Sequence, residues 1–238
     1  MDLDNLQRHW NQLGSRDPMW AILTNPDKLN GRWDRADFFA TGRDLVTEVL
    51  QQVAALNVSL DRGRALDFGC GIGRLTQALA QHFETTVGVD IAPSLIRQAI
   101  EHNLVPQRCH YVLNNRDDLS VFGDREFDFV FSTIVLQHMH PKYAARYIAE
   151  FVRVLRPGGL AVFQIPDQPA RTLTGVALRA LPCWLIRPVR KMDMYGLSRI
   201  RIREILLAEG AQLLDAKPNF ESGPHWIAYR YFAQKNQP

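Results

Sequence analysis

From about residue 64 to the end, short runs rich in apolar, β-branched and aromatic residues alternate with stretches whose apolar positions recur every three or four residues. That alternation predicts an α/β fold, a parallel sheet covered by helices on both faces. "RALDFG" reads as the first strand, Leu75, Ala78, Leu79 and Phe83 then share a helical face, and "TTVGVD" is the second strand, ending at Asp90. Pro93 stands where the next helix begins, a position that tolerates its missing amide, and Ile96, Ala99 and Ile100 form that helix's apolar stripe. "CHYVLN" supplies a short third strand. "FDFVFSTIV" is nearly all apolar, as a strand buried on both faces should be, and belongs at the centre as the fourth.

Ala144, Tyr147, Ile148, Phe151, Val152 and Leu155 outline a further helix, which "RPGG" at 156–159 is predicted to stop before the fifth strand, "LAVFQIP". Residues 167–197 break the rhythm with an apolar and basic segment, "LTGVALRALPCWLIRPVRK", and read as an insertion. Ser198 can then cap a helix with Ile202, Ile205 and Leu206 inward, and "AQLLDAK" and "HWIAYRYFAQK" form a final antiparallel pair. Ahead of the first strand, Phe38, Leu45, Val46, Val49, Leu50 and Val53 trace a long helix, with Gly42 inside it marking a close approach. The chain therefore divides into an N-terminal helical cap (1–60), a core (61–166), a lid insertion (167–197) and a C-terminal helix with two strands (198–238), all in one domain.

Composition changes this picture little. With 46% hydrophobic and 22% charged residues over 238 positions, the chain has the make-up of an ordinary globular protein. A formal charge of +3 is too small an excess to imply a nucleic-acid partner. Three widely spaced cysteines, Cys70, Cys109 and Cys183, suggest neither a disulfide framework nor a metal site, and fit a reducing compartment. The polar N-terminus lacks a secretory apolar core and no run is long enough for a membrane span, so the expected location is cytoplasmic. No oligomeric state is specified.

The chemistry starts at "RALDFGCGIGRLTQAL". Gly69, Gly71 and Gly73 alternate between a strand and a helix, where glycine permits a sharp turn and a ligand's close approach. Asp90 ends the next strand 21 positions after Gly69, where a carboxylate can accept hydrogen bonds from two ribose hydroxyls. Loop and acid together point to an adenosine cofactor. The dinucleotide fingerprint requires a third glycine where Arg74 stands, and a phosphate loop requires a Gly-Lys-Ser/Thr ending, so neither pattern is met.

"ALDFGCGIG", "VGVDIAPSLI", "FDFVFSTIVLQHM" and "LRPGGLAVFQIP", in this order and spacing, resemble the successive motifs of the class I S-adenosylmethionine-dependent methyltransferase family. The resemblance implies a doubly wound, mostly parallel, seven-stranded Rossmann-like sheet with an antiparallel last strand, and S-adenosyl-L-methionine as cofactor. It further implies that Asp67, Gly69, Cys70, Gly71 and Gly73 face the methionine part, with Asp67 partnering its amino group. Asp90 would hold the ribose and Ile91 pack on the adenine. Asn115 stands where the family often has an acid reaching the adenine amino group, with Arg116 and Asp117 as alternates, and Thr133 and Ile134 would border the methionine chain.

A methyl group on a sulfonium is already activated, so the protein's task is to hold an acceptor in line with it. A base is needed only for an acceptor that keeps its proton until late. Gln137, His138 and His140 in "LQHMHP" follow the fourth strand where the methyl should emerge, and histidine suits proton transfer near neutral pH. Either histidine could instead cap the following helix or bond within the core. A His-x-His metal site lacks accompanying carboxylates. Arg43 could pair with the cofactor carboxylate in a two-pronged fashion or face solvent, and Trp33, Phe38 and Phe39 could close over the site or pack their helix down.

The acceptor is expected to be a small molecule methylated on oxygen or nitrogen. The insertion's Leu, Trp184 and Ile186 beside Arg179, Arg187, Arg190 and Lys191 could meet an amphipathic or glycosylated acceptor, rest peripherally on a membrane, or form an ordinary lid. No Asn/Asp-Pro-Pro-aromatic run of the kind that marks base methylation follows the fourth strand. The rival readings are a cofactor-binding module without turnover and a nicotinamide oxidoreductase.

Overall fold

A computed structural model describes residues 2–170 and 193–237. Seven strands form one sheet in the order β3-β2-β1-β4-β5-β7-β6. They are β1 (Arg64–Phe68), β2 (Thr85–Asp90), β3 (Cys109–Leu113), β4 (Phe127–Ser132), β5 (Leu155–Pro169), β6 (Ala211–Asn219) and β7 (Trp226–Lys235). The first five pair in parallel, and β7 runs antiparallel to both β5 and β6, so the sheet is the doubly wound, mostly parallel one expected. The strand order reverses between β1 and β4. Crossovers leave β1 toward β2 on one side and return to β4 on the other, which opens a crevice at the carboxyl ends of these two strands.

Helices cover both faces. On one, α6 (Pro141–Val154) and α7 (Arg199–Ala208) bring Ile148, Phe151 and Ile202 against Leu66, Val130 and Phe163. On the other, α3 (Arg35–Ala54) and α4 (Arg74–Leu79) bring Val46, Val49 and Leu79 against Ala65, Phe129 and Val162. Alternate residues of β4 and β5 feed the two cores, which is why the buried parts of these strands are mostly apolar. Gly42 is a close approach, as its position in the helix suggested: a Cβ there would lie 2.5 Å from the backbone carbonyl of Arg74.

Three boundaries differ from the sequence reading. β4 stops at Ser132, because Ile134 adopts a left-handed backbone (φ 59°) that turns the chain. α6 ends at Val154, and "RPGG" joins β5 through a register irregularity opposite Phe127–Phe129 instead of standing between helix and strand. β5 also runs on to Pro169, into the start of the expected insertion; Trp184, Ile186, Arg179, Arg187, Arg190 and Lys191 of that lid lie outside the described residues, as does Cys183.

Two N-terminal helices, α1 (Leu3–Arg16) and α2 (Pro18–Ile22), precede α3. Asp2 caps α1 by accepting from the Asn5 amide, and Asp17 caps α2 beside Pro18. α1 is fastened to α5 (Pro93–Glu101): Asn11 accepts from the Ser94 amide at 2.9 Å, and Gln98 donates to the Gly14 carbonyl at 2.9 Å. Gln7 reaches the Ile91 carbonyl at 2.9 Å, so the helix lies across the crevice. Among the described residues no helix is long and apolar enough to cross a membrane.

Candidate functional site

β1 delivers the chain into the glycine loop at the crevice. The Gly69 and Cys70 amides both donate to the Val89 carbonyl, at 2.8 and 3.0 Å, which ties the loop to the end of β2. All three glycines have positive φ, 78°, 56° and 85°, in the region where other residues are strained. Each also sits against a different neighbour. A Cβ on Gly69 would enter the methyls of Val135, one on Gly71 would lie 2.5 Å from Cδ1 of Ile22, and one on Gly73 would strike the Tyr111 hydroxyl. The bareness of the loop thus serves the protein's own packing as well as a ligand. Cys70 is buried and its thiol is pushed up by burial, which leaves it an inert small residue.

Beside the loop lies a cavity of about 100 Å³. Its walls come from the loop, from Asp90 and Ile91, from Thr133–Val135, from His138 and Met139, and from Leu3, Leu6, Trp10 and Ile22 of the N-terminal helices.

The charged groups here are incompletely partnered. Asp67 is 1% exposed; its Oδ2 accepts from the Thr76 hydroxyl at 2.7 Å while Oδ1 has no partner. Burial pushes its pKa up to about 7, against the opposing pull of the Thr76 bond and of Arg74. Arg74 is 4% exposed and lines the cavity; one guanidinium nitrogen donates to Thr41 at 3.2 Å, and Nε has no partner. Burial lowers its pKa to about 10, so it is still a cation at neutral pH. Among the described residues it has no carboxylate within ion-pair distance, a costly arrangement for a buried cation. Asp90 accepts from the Gly71 amide and from the Ala92 amide, each at 2.9 Å, and burial raises its pKa. Each of its oxygens keeps a lone pair for a hydroxyl.

At the ends of β4 and β5 the polar groups are fully partnered. Thr133 donates its hydroxyl hydrogen to Glu221 at 2.6 Å, and Glu221 also takes Asn219. His138 is buried and meets Trp10 edge to face at 5.3 Å. Its Nδ1 lies 3.0 Å from the Asp193 carbonyl, which can only accept, so the hydrogen is on Nδ1 and Nε2 carries the lone pair, taken by the Gln137 amide at 3.2 Å. Burial lowers its pKa to about 4 despite the Asp193 bond.

The crevice gathers most of the residues singled out in the sequence and leaves several outside. Gly69, Cys70, Gly71, Asp90, Ile91, Thr133, Ile134 and His138 line the cavity; Asp67, Gly73 and Gln137 stand directly behind it. His140 is exposed, and its Nδ1 caps α6 by accepting from the Lys142 amide at 3.3 Å. Arg43 is exposed on α3, one residue beyond the face that packs on Arg74, and it is Arg74 that reaches the cavity. Asn115 and Arg116 are exposed, and Asp117 pairs with Arg146 at 2.6 Å; the buried asparagine on the wall is Asn114, whose side chain bonds the Asp118 carbonyl and the Arg116 amide. Trp33, Phe38 and Phe39 pack together around α3. Among the described residues no group of three His, Cys, Asp or Glu could hold a metal ion.

The profile of the methyltransferase domain family matches residues 66–163, which run from the middle of β1 to β5 and contain the crevice. Over these residues the chain is similar to methyltransferase domains. An uncharacterized methyltransferase of Synechocystis sp. is 37% identical to it over 127 residues, 53% of this chain and 58% of that protein. A ubiquinone biosynthesis O-methyltransferase of Xanthomonas campestris pv. campestris is 30% identical over 132 residues, 55% of this chain and 54% of that one. The chain thus spans little more than half the length of these curated relatives. The fold is shared with magnesium protoporphyrin IX methyltransferase (ChlM) of Synechocystis PCC 6803, solved with bound SAH: TM-score 0.67 and 18% identity, covering 99% of this chain and all of that one. It is shared too with a SAM-dependent methyltransferase of Methanosarcina mazei, TM-score 0.63 and 22% identity, covering 75% and 95%.

Proposed function

We propose that the chain transfers a methyl group from S-adenosyl-L-methionine to the oxygen or nitrogen of a small, largely apolar or amphipathic molecule. The unpartnered groups fit that cofactor. Asp90 has lone pairs free for the two ribose hydroxyls, Ile91 supplies an apolar surface for the adenine, Asp67 Oδ1 suits the ammonium group, and Arg74 suits the carboxylate. When bound, the cofactor supplies a methyl carbon activated by a positively charged sulfur. The remaining work belongs to the protein: aligning the acceptor and excluding water, a contribution of about 7–11 kcal/mol where reacting groups are well oriented.

The observation that carries the acceptor class is the commitment of hydrogens on the wall after β4. Thr133 donates to Glu221 and His138 Nδ1 to Asp193, so neither has a hydrogen left for a ligand, and the Thr133 hydroxyl oxygen offers lone pairs only. Such a wall orients a group arriving with its hydrogen, a hydroxyl or an amine, and disfavours one arriving as an anion. Thr133 Oγ1 accepts that hydrogen bond, while His138 stays a neutral imidazole throughout the neutral range with its Nε2 lone pair engaged by Gln137. Leu3, Leu6, Trp10 and Met139 suit the acceptor's apolar body.

The test is transfer of labelled methyl from S-adenosylmethionine to matched sets of aromatic and aliphatic alcohols, amines and carboxylic acids sharing one skeleton. Turnover confined to alcohols or amines is expected. Transfer to the carboxylic acids alone contradicts the acceptor class, and binding of S-adenosylhomocysteine with no transfer to any set contradicts the assignment of turnover.

A further inference from the structure

Gln164 lies in the middle of β5 with 0% exposure, a single amide between Phe163 and Ile165. Its Oε1 accepts from the Ile134 amide at 3.0 Å, and its Nε2 donates to Ser222 Oγ at 2.6 Å and Gln137 Oε1 at 3.3 Å. Ser222 passes its own hydrogen to Gln137 Oε1 at 2.7 Å. Gln137 Nε2 then donates to His138 Nε2, and His138 Nδ1 to the Asp193 carbonyl.

The two ends of this chain are backbone groups with no choice of role. Ile134 N–H can only donate and Asp193 C=O can only accept, so every amide, hydroxyl and imidazole between them is held in one orientation. The upstream end is also a point of strain. Ile134 is β-branched at φ 59°, a strained conformation that persists where the surroundings over-determine it. Val135, next along, fills the space that Gly69 leaves by having no side chain. One buried amide therefore anchors both the turn that presses on the glycine loop and the pair Gln137–His138 that follows it on the same wall.

We propose that Gln164 is a positioning residue: it pins the left-handed Thr133–Val135 turn and, through Gln137 and Ser222, holds His138 as the Nδ1–H tautomer with its Nε2 lone pair engaged. Its bearing on methyl transfer rests on the proposed function, whereas the polarity of the chain stands without it. Ser222 and Gln164 tie the β6–β7 connection to the same device, 58 residues apart in sequence.

Two-bond proton–nitrogen spectra of the labelled protein at pH 7 test this without any acceptor. The parent should show hydrogen on Nδ1 of His138; hydrogen on Nε2, or a mixture, overturns the proposal. In Gln164→Met the Nε2 signal should move toward that of a free lone pair and the Ile134 amide should exchange about tenfold faster or more. Unchanged signals in the folded variant overturn the positioning role. Should Gln164→Met fail to fold, Ser222→Ala removes one donor to Gln137 without touching Ile134: a smaller Nε2 shift with unchanged Ile134 exchange supports the proposal, and no shift overturns it. These spectra do not depend on turnover, so a failure to find methyl transfer would sink the proposed function and leave the positioning role to be decided by the spectra alone.

Discussion

The two sides of the crevice are built on opposite electrostatic plans. At the ends of β1 and β2, Asp67 and Arg74 are buried with atoms left unpartnered, and burial shifts both pKa values toward the neutral form. At the ends of β4 and β5, Thr133, Gln137, His138, Gln164 and Ser222 are joined to one another, to Glu221 or to backbone. The first side leaves an acceptor atom on one group and a donor atom on the other without partners, which in the proposed function meet a cation and an anion of the cofactor. The second is complete in the protein alone, and only lone pairs are left to meet a guest. A cofactor of fixed structure can be met by charges waiting for it, at a cost in the stability of the free protein. An acceptor that must be held in line is better met by a wall that does not rearrange.

The largest expected effect separates these plans at Asp90. Asp90→Ala removes the carboxylate offered to the ribose and the acceptor of the Gly71 and Ala92 amides, so S-adenosylhomocysteine affinity measured by calorimetry should fall about 10²–10³-fold.

Asp67→Asn should part stability from binding. Relative to the ordinary value of 3.8, the folded protein holds this carboxyl's proton up to about pH 7, so its contribution to stability is highest at acid pH, declines as pH rises from about 4 to about 7, and stays low above. Denaturant unfolding at pH 8 should therefore find the free Asn variant more stable than the parent by roughly 1–3 kcal/mol, while at pH 4 the two agree. S-adenosylhomocysteine should bind the variant about tenfold more weakly at pH 8, through the lost charge opposite the ammonium. A variant less stable than the parent at pH 8 would contradict the reading of Asp67 as a waiting charge.

An effect on stability alone concerns the glycine loop's packing. Gly71→Ala forces φ 56° on alanine and drives its Cβ against Ile22, and should destabilise by about 2 kcal/mol in thermal or denaturant unfolding. Adding Ile22→Ala should recover the part due to the clash and leave the backbone part; no recovery would mean that α2 does not press on the loop.

What the sequence made legible follows the same divide. The β1–β2 side is local: loop and acid lie within 24 positions, from Asp67 to Asp90, in the alternating pattern that also predicts the sheet. Arg74 was visible there as the residue that breaks a dinucleotide fingerprint, and its position among Ile72, Leu75 and Leu79 on a buried helix was the available sign that its charge points inward. The β4–β5 side is assembled from distant segments. Thr133 meets Glu221 across 88 residues and Gln164 meets Gln137 across 27, separations that hydrophobic periodicity does not encode. A lone glutamine in the apolar run "LAVFQIP" was the one local trace of it. His140 and Arg43 were left with two readings each for a related reason: residue type and approximate position do not say which way a side chain turns at a helix end or on a helix face.

The measurement that bears most directly on the two-plan account compares S-adenosylhomocysteine with 5′-methylthioadenosine, which lacks the amino-acid end, on the parent and on Arg74→Met. Calorimetry should show affinity for S-adenosylhomocysteine falling about 10²–10³-fold in the variant, with 5′-methylthioadenosine bound equally well by both proteins. Equal losses for the two ligands, or none for either, would contradict the account.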